Sequence, residues 1–490
     1  LGNCRAVSVL LRGNRRNKVV ARKIAYNIAL NTIFKVLSTA LALVGIGFIT
    51  RYLGKEGFGN YATILAFFAF FSSLLDLGLY TISTREISRQ GADEEKIIGN
   101  VFWLRFFSSV ALFLISPLIV FLLPYPEEVK KGILLAAGAF VFSSSYLVLN
   151  GVFQKNLVIY KVTGAELIGK ILQVSFVILT VLYDWGFTAI VLSLLLNMIF
   201  NFVAVYYLCR RYVKIRFLIN FSYWKKFLRH SLPMGVAVFV SFLYFKTDTI
   251  LLSLLRSSQD VGIYNAAYKI IENITFFPAM IMGLIFPLMS KNIFSEKTLF
   301  EKISHKTFKI FFLLVIPMVI GALFLADDLV FLIGGKDFSQ SANVLRILIF
   351  SLAFIFFGHF FNYMLIAGNL QKKLMQILFF CAAFNITANL IFIPFFSYYA
   401  SAMISLATEA LVVFTTAFLA AKKLGYIPRI EKGINFLFSG AVMAGFLFLF
   451  RDFHFLFLIV GGAVVYFFLL GLTGTITKQE IISLLIKKQA

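Results

Sequence analysis

At 490 residues, 60% apolar and only 14% charged, with a mean hydropathy of +0.90, the chain lies outside the soluble globular class. A formal charge of +24 raises nucleic acid as a partner, so where the charge sits has to be settled before its sum is used. Three scattered cysteines (Cys4, Cys209, Cys381) and four histidines far apart in sequence exclude a disulfide framework, a zinc site and a CxxC redox motif; no cofactor or metal is expected.

The chain opens on a basic segment, residues 1–27, with no small-residue cleavage site after it, so the first apolar run is expected to be a retained span. Fourteen apolar runs follow, bounded by charge or turn residues: 28–50, 60–80, 101–123, 132–153, 164–183, 187–209, 231–255, 264–289, 308–326, 344–367, 374–396, 400–421, 434–450 and 454–472. Roughly 20 helical residues cross a ~30 Å hydrocarbon layer, so the spacing predicts an all-α polytopic membrane protein with about 14 transmembrane helices. The tightest turns fall around Asp184 and at 397–399. With the N-terminus in the cytoplasm, inside segments hold 33 Lys and Arg, while outside loops hold seven: Arg51, Lys55, Lys130, Lys131, Arg256, Lys336 and Arg451. Basic loops stay cytoplasmic, so this asymmetry supports the number of spans and places both termini inside a plasma membrane. The surplus charge then orients the protein and faces anionic lipid, and nucleic acid drops out.

Several runs carry charge where hydrocarbon would surround it. Lys246 and Asp248 lie along the seventh, Lys269 and Glu272 along the eighth. A lipid-facing charge at mid-membrane costs about 2.5–3.5 kcal/mol, so such groups face protein or trapped water. Asn265, Lys269, Glu272 and Phe276 recur at helical spacing, which puts the polar ones on one face. Lys269 and Glu272 are spaced i, i+3 to pair, whereas Lys246 and Asp248 at i, i+2 diverge. Polar stripes recur at Asn27, Asn31, Lys35 and Ser38, at Glu166, Lys170 and Gln173, and at Ser193, Asn197 and Asn201. Two more lie at Asn385 and Asn389 and at Ser401, Ser405 and Glu409. Neutral stripes fit interhelical hydrogen bonding as well as a cavity wall; the charged positions favour a wet cavity. Glu166 and Lys170 are also spaced to pair with each other.

The last two runs have no interior charge and read as lipid-facing additions, 434–472, to a twelve-helix working core. An internal echo divides that core. Gly59-x-Tyr61 precedes the second run and Gly262-x-Tyr264 precedes the eighth, 203 residues on. An even number of spans per half makes the repeats parallel. The expected organisation is an N-terminal lobe at 28–209, a cytoplasmic linker at 210–230, a C-terminal lobe at 231–421 and a cytoplasmic tail at 473–490. Prolines 117, 278, 287, 317 and 394 fall within runs and invite kinks. Residues 294–309 and 477–490 alternate basic and apolar residues as surface-lying helices do.

GAELIGK at 164–170 matches a phosphate-loop pattern, but Ile171 stands where Ser or Thr should reach a metal and no strand precedes it. No nucleophile–base set shares a location, so the chain is not read as an enzyme.

The segment RYLGKEGFGNYATILAFFAFFSSLLDLGLYTISTREISR and the later FKTDTILLSLLRSSQDVGIYNAAYKI, set among fourteen runs, resemble polysaccharide flippases of the O-antigen type. That family belongs to the multidrug/oligosaccharidyl-lipid/polysaccharide exporter superfamily. The resemblance implies a two-lobed bundle alternating between inward-open and outward-open states. It also implies transfer of a polyprenyl-diphosphate-linked oligosaccharide to the outer leaflet, with membrane lipids and polysaccharide polymerase or glycosyltransferases as further partners. A diphosphate head group needs a polar, preferably cationic groove open sideways to lipid. Lys309, at the very start of the ninth run, is counted with the inside segment before it; the other basic residues inside the runs are Lys35, Arg105, Lys170, Lys246, Lys269 and Arg346. Lys246 and Lys269 lie deepest and are the first candidates for head-group contact. Lys35, Arg105 and Lys170, near cytoplasmic ends, form an access rim or snorkel to the interface. Asp76, Asp248, Glu272 and Glu409 balance these cations or bind a coupling ion. A proton- or sodium-coupled drug or metabolite antiporter of the same superfamily is the alternative. A membrane-embedded glycosyltransferase or polymer ligase is disfavoured by the short outside loops.

Overall fold

Inside hydrocarbon every backbone amide must find its partner within the protein, and a chain without barrel patterning is left with helices. The computed structural model describes residues 2–89, 91–428 and 432–475. It is 88% helix, with no strand among the described residues. In chain order the helices are α1 (Gly2–Asp76), α2 (Leu79–Ile87), α3 (Glu94–Phe121), α4 (Glu127–Lys155), α5 (Tyr160–Leu182), α6 (Gly186–Cys209) and α7 (Phe221–Leu255). Then come α8 (Ser258–Ile274), α9 (Phe276–Asn292), α10 (Lys297–Gly334), α11 (Ser339–Ala367), α12 (Gln371–Leu424), α13 (Gly433–Leu449) and α14 (Phe455–Leu472).

All fourteen apolar runs fall on helix, but helices and runs do not correspond one to one. The first two runs share α1, which bends at Gly54 (φ 64°, ψ −172°), a conformation only glycine adopts at low cost. The second run ends sooner than expected, at Asp76. Leu77 (φ 47°) and Gly78 (φ 68°) turn left-handed, and the chain restarts as the short α2. The eighth run is split: Pro278 has no amide to return to Ile274, and the helix breaks at Thr275 between α8 and α9. Runs eleven and twelve share α12 across Ser397 (φ 50°, ψ −133°), three residues after Pro394. Residues 294–309 do not form a separate surface helix; from Lys297 they are the first turns of the 38-residue α10. The tail expected at 477–490 lies outside the described residues. The GAELIGK stretch sits wholly within α5 and forms no loop.

The chain forms two compact units: Leu1–Leu53 with Asn60–Lys246, and Gly54–Gly59 with Thr247–Ala490. In the first unit, Phe102, Leu149, Phe153, Val162 and Val205 from α3, α4, α5 and α6 form one apolar cluster. A second cluster joins Leu79 and Ile82 of α2 to Val101, Leu104, Val148 and to Trp224 and Phe227 of α7. The corner at Leu77–Gly78 lies directly on α7: a Cβ at Gly78 would meet the Ser231 carbonyl at 2.7 Å and the Gly235 amide at 2.9 Å.

In the second unit, rings of α10 and α11 interlock, with Phe308 on Phe360 (centroids 5.2 Å) and Phe312 on Phe357 (4.8 Å). Helices α13 and α14 pack on α10 through Phe436, Met443, Leu447, Leu458 and Tyr466. The segment at 54–59 crosses α8 so closely that neither backbone leaves room for a side chain. A Cβ at Gly59 would strike the Ser258 carbonyl, and one at Gly262 would strike the Lys55 carbonyl. Gly59 and Gly262, like Lys55 and Ser258, are 203 residues apart, so the two copies of the sequence echo meet each other reciprocally.

Candidate functional site

In the second unit the polar faces of α7, α8 and α12 converge on one carboxylate. Asp248 is 3% exposed. Its Oδ1 accepts from Asn389 Nδ2 at 2.8 Å, and its Oδ2 accepts from Ser405 Oγ at 2.5 Å and Tyr264 Oη at 3.1 Å. Burying an ionised carboxylate is costly unless donors surround it, and here three neutral donors do so from three directions. Helical spacing prepares the cage: Asn385 and Asn389 are one turn apart on the first half of α12, and Ser401 and Ser405 one turn apart on the second. Asn385 also donates to Thr408 at 3.3 Å, and Thr249 donates to Asn265 at 3.2 Å. The ring of Tyr264 stacks on Tyr268 (5.6 Å, 14°). Asn389 Oδ1 and Ser401 Oγ are buried beside this network with no hydrogen-bond partner. Such orphan oxygens, next to an anion, are the donor chemistry of a small cation or of a proton carried by the carboxyl.

One turn along α8, Lys269 and Glu272 form the pair their spacing predicts, Nζ to Oε2 at 2.7 Å, with side chains 13% and 32% exposed. Glu409 is buried and engaged on α12. Arg346 is not part of the Asp248 cage. It ties α11 to the bend of α10, donating to the Leu323 carbonyl at 3.2 Å, to Asn343 at 2.9 Å and to Asp327 at 2.5 Å. Beside it Asp327, Asp328, Phe331, Gly335, Lys336 and Ser339 line an open pocket of about 350 Å³.

In the first unit a polar ladder runs across α1, α5 and α6. Lys35 pairs with Glu166 at 2.8 Å, both partly exposed. Lys170 donates to Gln173 at 2.8 Å, Gln173 accepts from Asn197 at 3.0 Å, and Asn201 donates to Asn197 at 2.6 Å. Lys246, the last residue of this unit, is partly buried on α7 and already engaged. Arg105 departs furthest from expectation. Its guanidinium is 1% exposed, so it neither snorkels nor lines a rim. It donates to Asp76 at 2.7 Å and to Ser144 at 2.8 Å, while its Nη2 is buried without a partner.

Sequence reading did not single out Ser144 or the Tyr264–Tyr268 pair as site residues. Tyr264 and Tyr268 lie i, i+4 within the charged eighth run, which was the available signal; Ser144 gave none.

Residues 24–293, more than half of the chain, match the polysaccharide biosynthesis protein family. The chain belongs to that family. Residues 233–391 of this polysaccharide biosynthesis protein also match the MatE family. Among curated proteins it is 27% identical over 240 residues to the capsular polysaccharide biosynthesis protein CapF of Staphylococcus aureus, covering 47% of this chain and 60% of CapF. It is 26% identical over 340 residues to a candidate O-antigen transporter of Shigella flexneri, covering 66% of this chain and 79% of that one. Its fold is similar to that of the lipid II flippase MurJ in an inward closed conformation: TM-score 0.74 at 16% identity, over 91% of this chain and 98% of MurJ. A multidrug transporter of the MATE family in its inward-facing conformation follows at TM-score 0.64, over 81% of this chain and 99% of that one.

Proposed function

We propose that this polysaccharide biosynthesis protein is a flippase that carries a polyprenyl-diphosphate-linked oligosaccharide from the cytoplasmic to the outer leaflet by alternating access. It would sit in the plasma membrane with both termini in the cytoplasm. The family match over residues 24–293 carries this reading. The intramembrane cations supply the chemistry: a diphosphate head group cannot cross hydrocarbon unaided, whereas its lipid tail never leaves it. Lys246 and Lys269 are assigned to the head group, with Glu272 offsetting part of the Lys269 charge. Lys35 and Lys170 form the cytoplasmic access side, and Glu166 balances Lys35. Arg105 with Asp76 holds the first unit together in the state described, and its buried, unpartnered Nη2 would reach an anion only in a state that opens this contact. Arg346 is assigned a supporting role at the bend of α10. Asp248, seconded by Glu409, takes the coupling proton or monovalent cation. An inside-negative potential would itself favour outward passage of the anionic head group, by about 2.3 kcal/mol per net charge per 100 mV.

The test is flipping of lipid-linked sugar in proteoliposomes. Lys246→Gln is expected to slow it about tenfold or more, the loss of one charge-assisted contact, while Lys246→Arg retains most of it. A well-inserted Lys246→Gln that flips like the parent removes Lys246 from the head-group site. The MatE match at 233–391 and the Asp248 cage favour one second reading, a cation-coupled antiporter. Efflux of a cationic dye without sugar flipping would decide for it.

A further inference from the structure

From the end of α6 through the first turns of α7 the first unit carries a stretch that the transport reading does not use. Residues 210–230 hold seven Lys or Arg and no Asp or Glu. The stretch does not hang free. Lys161 Nζ donates to Tyr212 Oη at 2.6 Å and lies over its ring at 5.2 Å. Arg216 Nε pairs with Glu95 at 2.6 Å, and its carbonyl lies so near Gly99 that a Cβ there would meet it at 2.7 Å. Phe217 stands edge-on to Trp103 at 4.6 Å. Asn220 Oδ1 then accepts from the Tyr223 amide and caps α7, whose first turns bury Trp224 and Phe227 among Leu79, Val101 and Leu104.

One face of the stretch is therefore fixed to the protein, and the other is presented outward. On that outer face Arg210, Arg211, Lys214, Lys225, Lys226 and Arg229 are exposed. Among them stand Ile219 and Phe221, at 42% and 75% exposure, and Phe217, packed on Trp103 along one edge, still shows 64% of its surface. Rings and branched chains at this density are poorly served by water, and cations in a stretch with no acid of its own, where Glu95 pairs with Arg216, are poorly served by hydrocarbon. Both are served at the boundary between acyl chains and anionic head groups, where apolar groups dip in and ammonium or guanidinium groups meet phosphate. Because the backbone is held by its buried face, little ordering entropy opposes the contact.

We propose that residues 210–230 form a docking belt for anionic phospholipid head groups of the leaflet that flanks the α6–α7 connection. The proposal depends on the protein lying in a membrane and not on what it transports.

Brominated phosphatidylglycerol and brominated phosphatidylcholine, compared at equal mole fraction in nanodiscs holding the full chain, provide the test. A Phe221→Trp protein supplies the probe, read as the difference from the parent with its native Trp103, Trp185 and Trp224. The expected result is stronger quenching by the anionic phosphatidylglycerol. That excess should fall roughly tenfold or more when Lys225→Gln, Lys226→Gln and Arg229→Gln are combined. Salt at about 0.5 M should do the same in the unsubstituted belt, which covers the case of a triple variant that inserts poorly. Equal quenching by both lipids would overturn the proposal, as would an excess that survives charge removal and salt. No quenching by either lipid would mean that the belt faces water or an acidic protein, and would overturn it as well.

Discussion

Arg256 closes α7 by reaching the far end of another helix: its Nε and Nη2 donate to the Ile393 and Pro394 carbonyls at 3.1 and 2.5 Å. Those carbonyls lose their helical partners where α12 breaks at Ser397, so the guanidinium caps the end of that half of α12. Hydrogen bonds to a charged group contribute about 1.5–3 kcal/mol, so Arg256→Met is expected to destabilise by about that much. Arg256→Lys should recover part of the loss. Thermal unfolding in detergent measures both, and an unchanged midpoint for Arg256→Met would dismiss the cap. At this scale, sequence legibility followed distance along the chain. Lys269 and Glu272 pair as their spacing requires, whereas Glu166 bonds Lys35 from 131 residues away and Arg105 finds Ser144 on another helix. Local periodicity carries no information about partners of that kind.

Among elements, the reciprocal crossing of 54–59 with α8 is the most sequence-determined feature. Glycine is needed twice because backbone meets backbone at Gly59 and at Gly262. A methyl group added at Gly262 would strike the Lys55 carbonyl and crowd the Gly59 amide at 3.3 Å, so Gly262→Ala is expected to cost about 1–3 kcal/mol as an overpacked site. Gly283→Ala is the matched control, since a Cβ there meets nothing within 4 Å. If the two variants melt alike, the crossing does not constrain the fold. The helix ends were less legible. The residues at 51–59 and 397–399 separate the apolar runs, but nothing in them records that helix resumes directly across the bend at Gly54 and the break at Ser397, so that two runs share one element. Pro278, by contrast, marked its own break at Thr275, because a missing amide is a property of the residue and not of its surroundings.

For the whole molecule the testable expectation is orientation. Ser222 and Ser295 are exposed in basic segments assigned to the cytoplasm. With Cys4, Cys209 and Cys381 replaced, a cysteine at either position should resist an impermeant maleimide on intact cells and react after permeabilisation. Reaction on intact cells would reverse the topology. What the amino-acid sequence settled alone was the environment and the class of fold. Hydrophobic runs long enough to span a bilayer must become helices there, because nothing else satisfies their backbone. It also located the charges that lipid would not tolerate. Tertiary structure decided what those charges meet. It put Asn389, Ser405 and Tyr264 around Asp248, buried Arg105 against Asp76, and took the boundary between compact units to Lys246, within α7. Each of these depends on which helices lie side by side. That is fixed by packing between segments far apart in the chain, where a single sequence records the faces but not their neighbours.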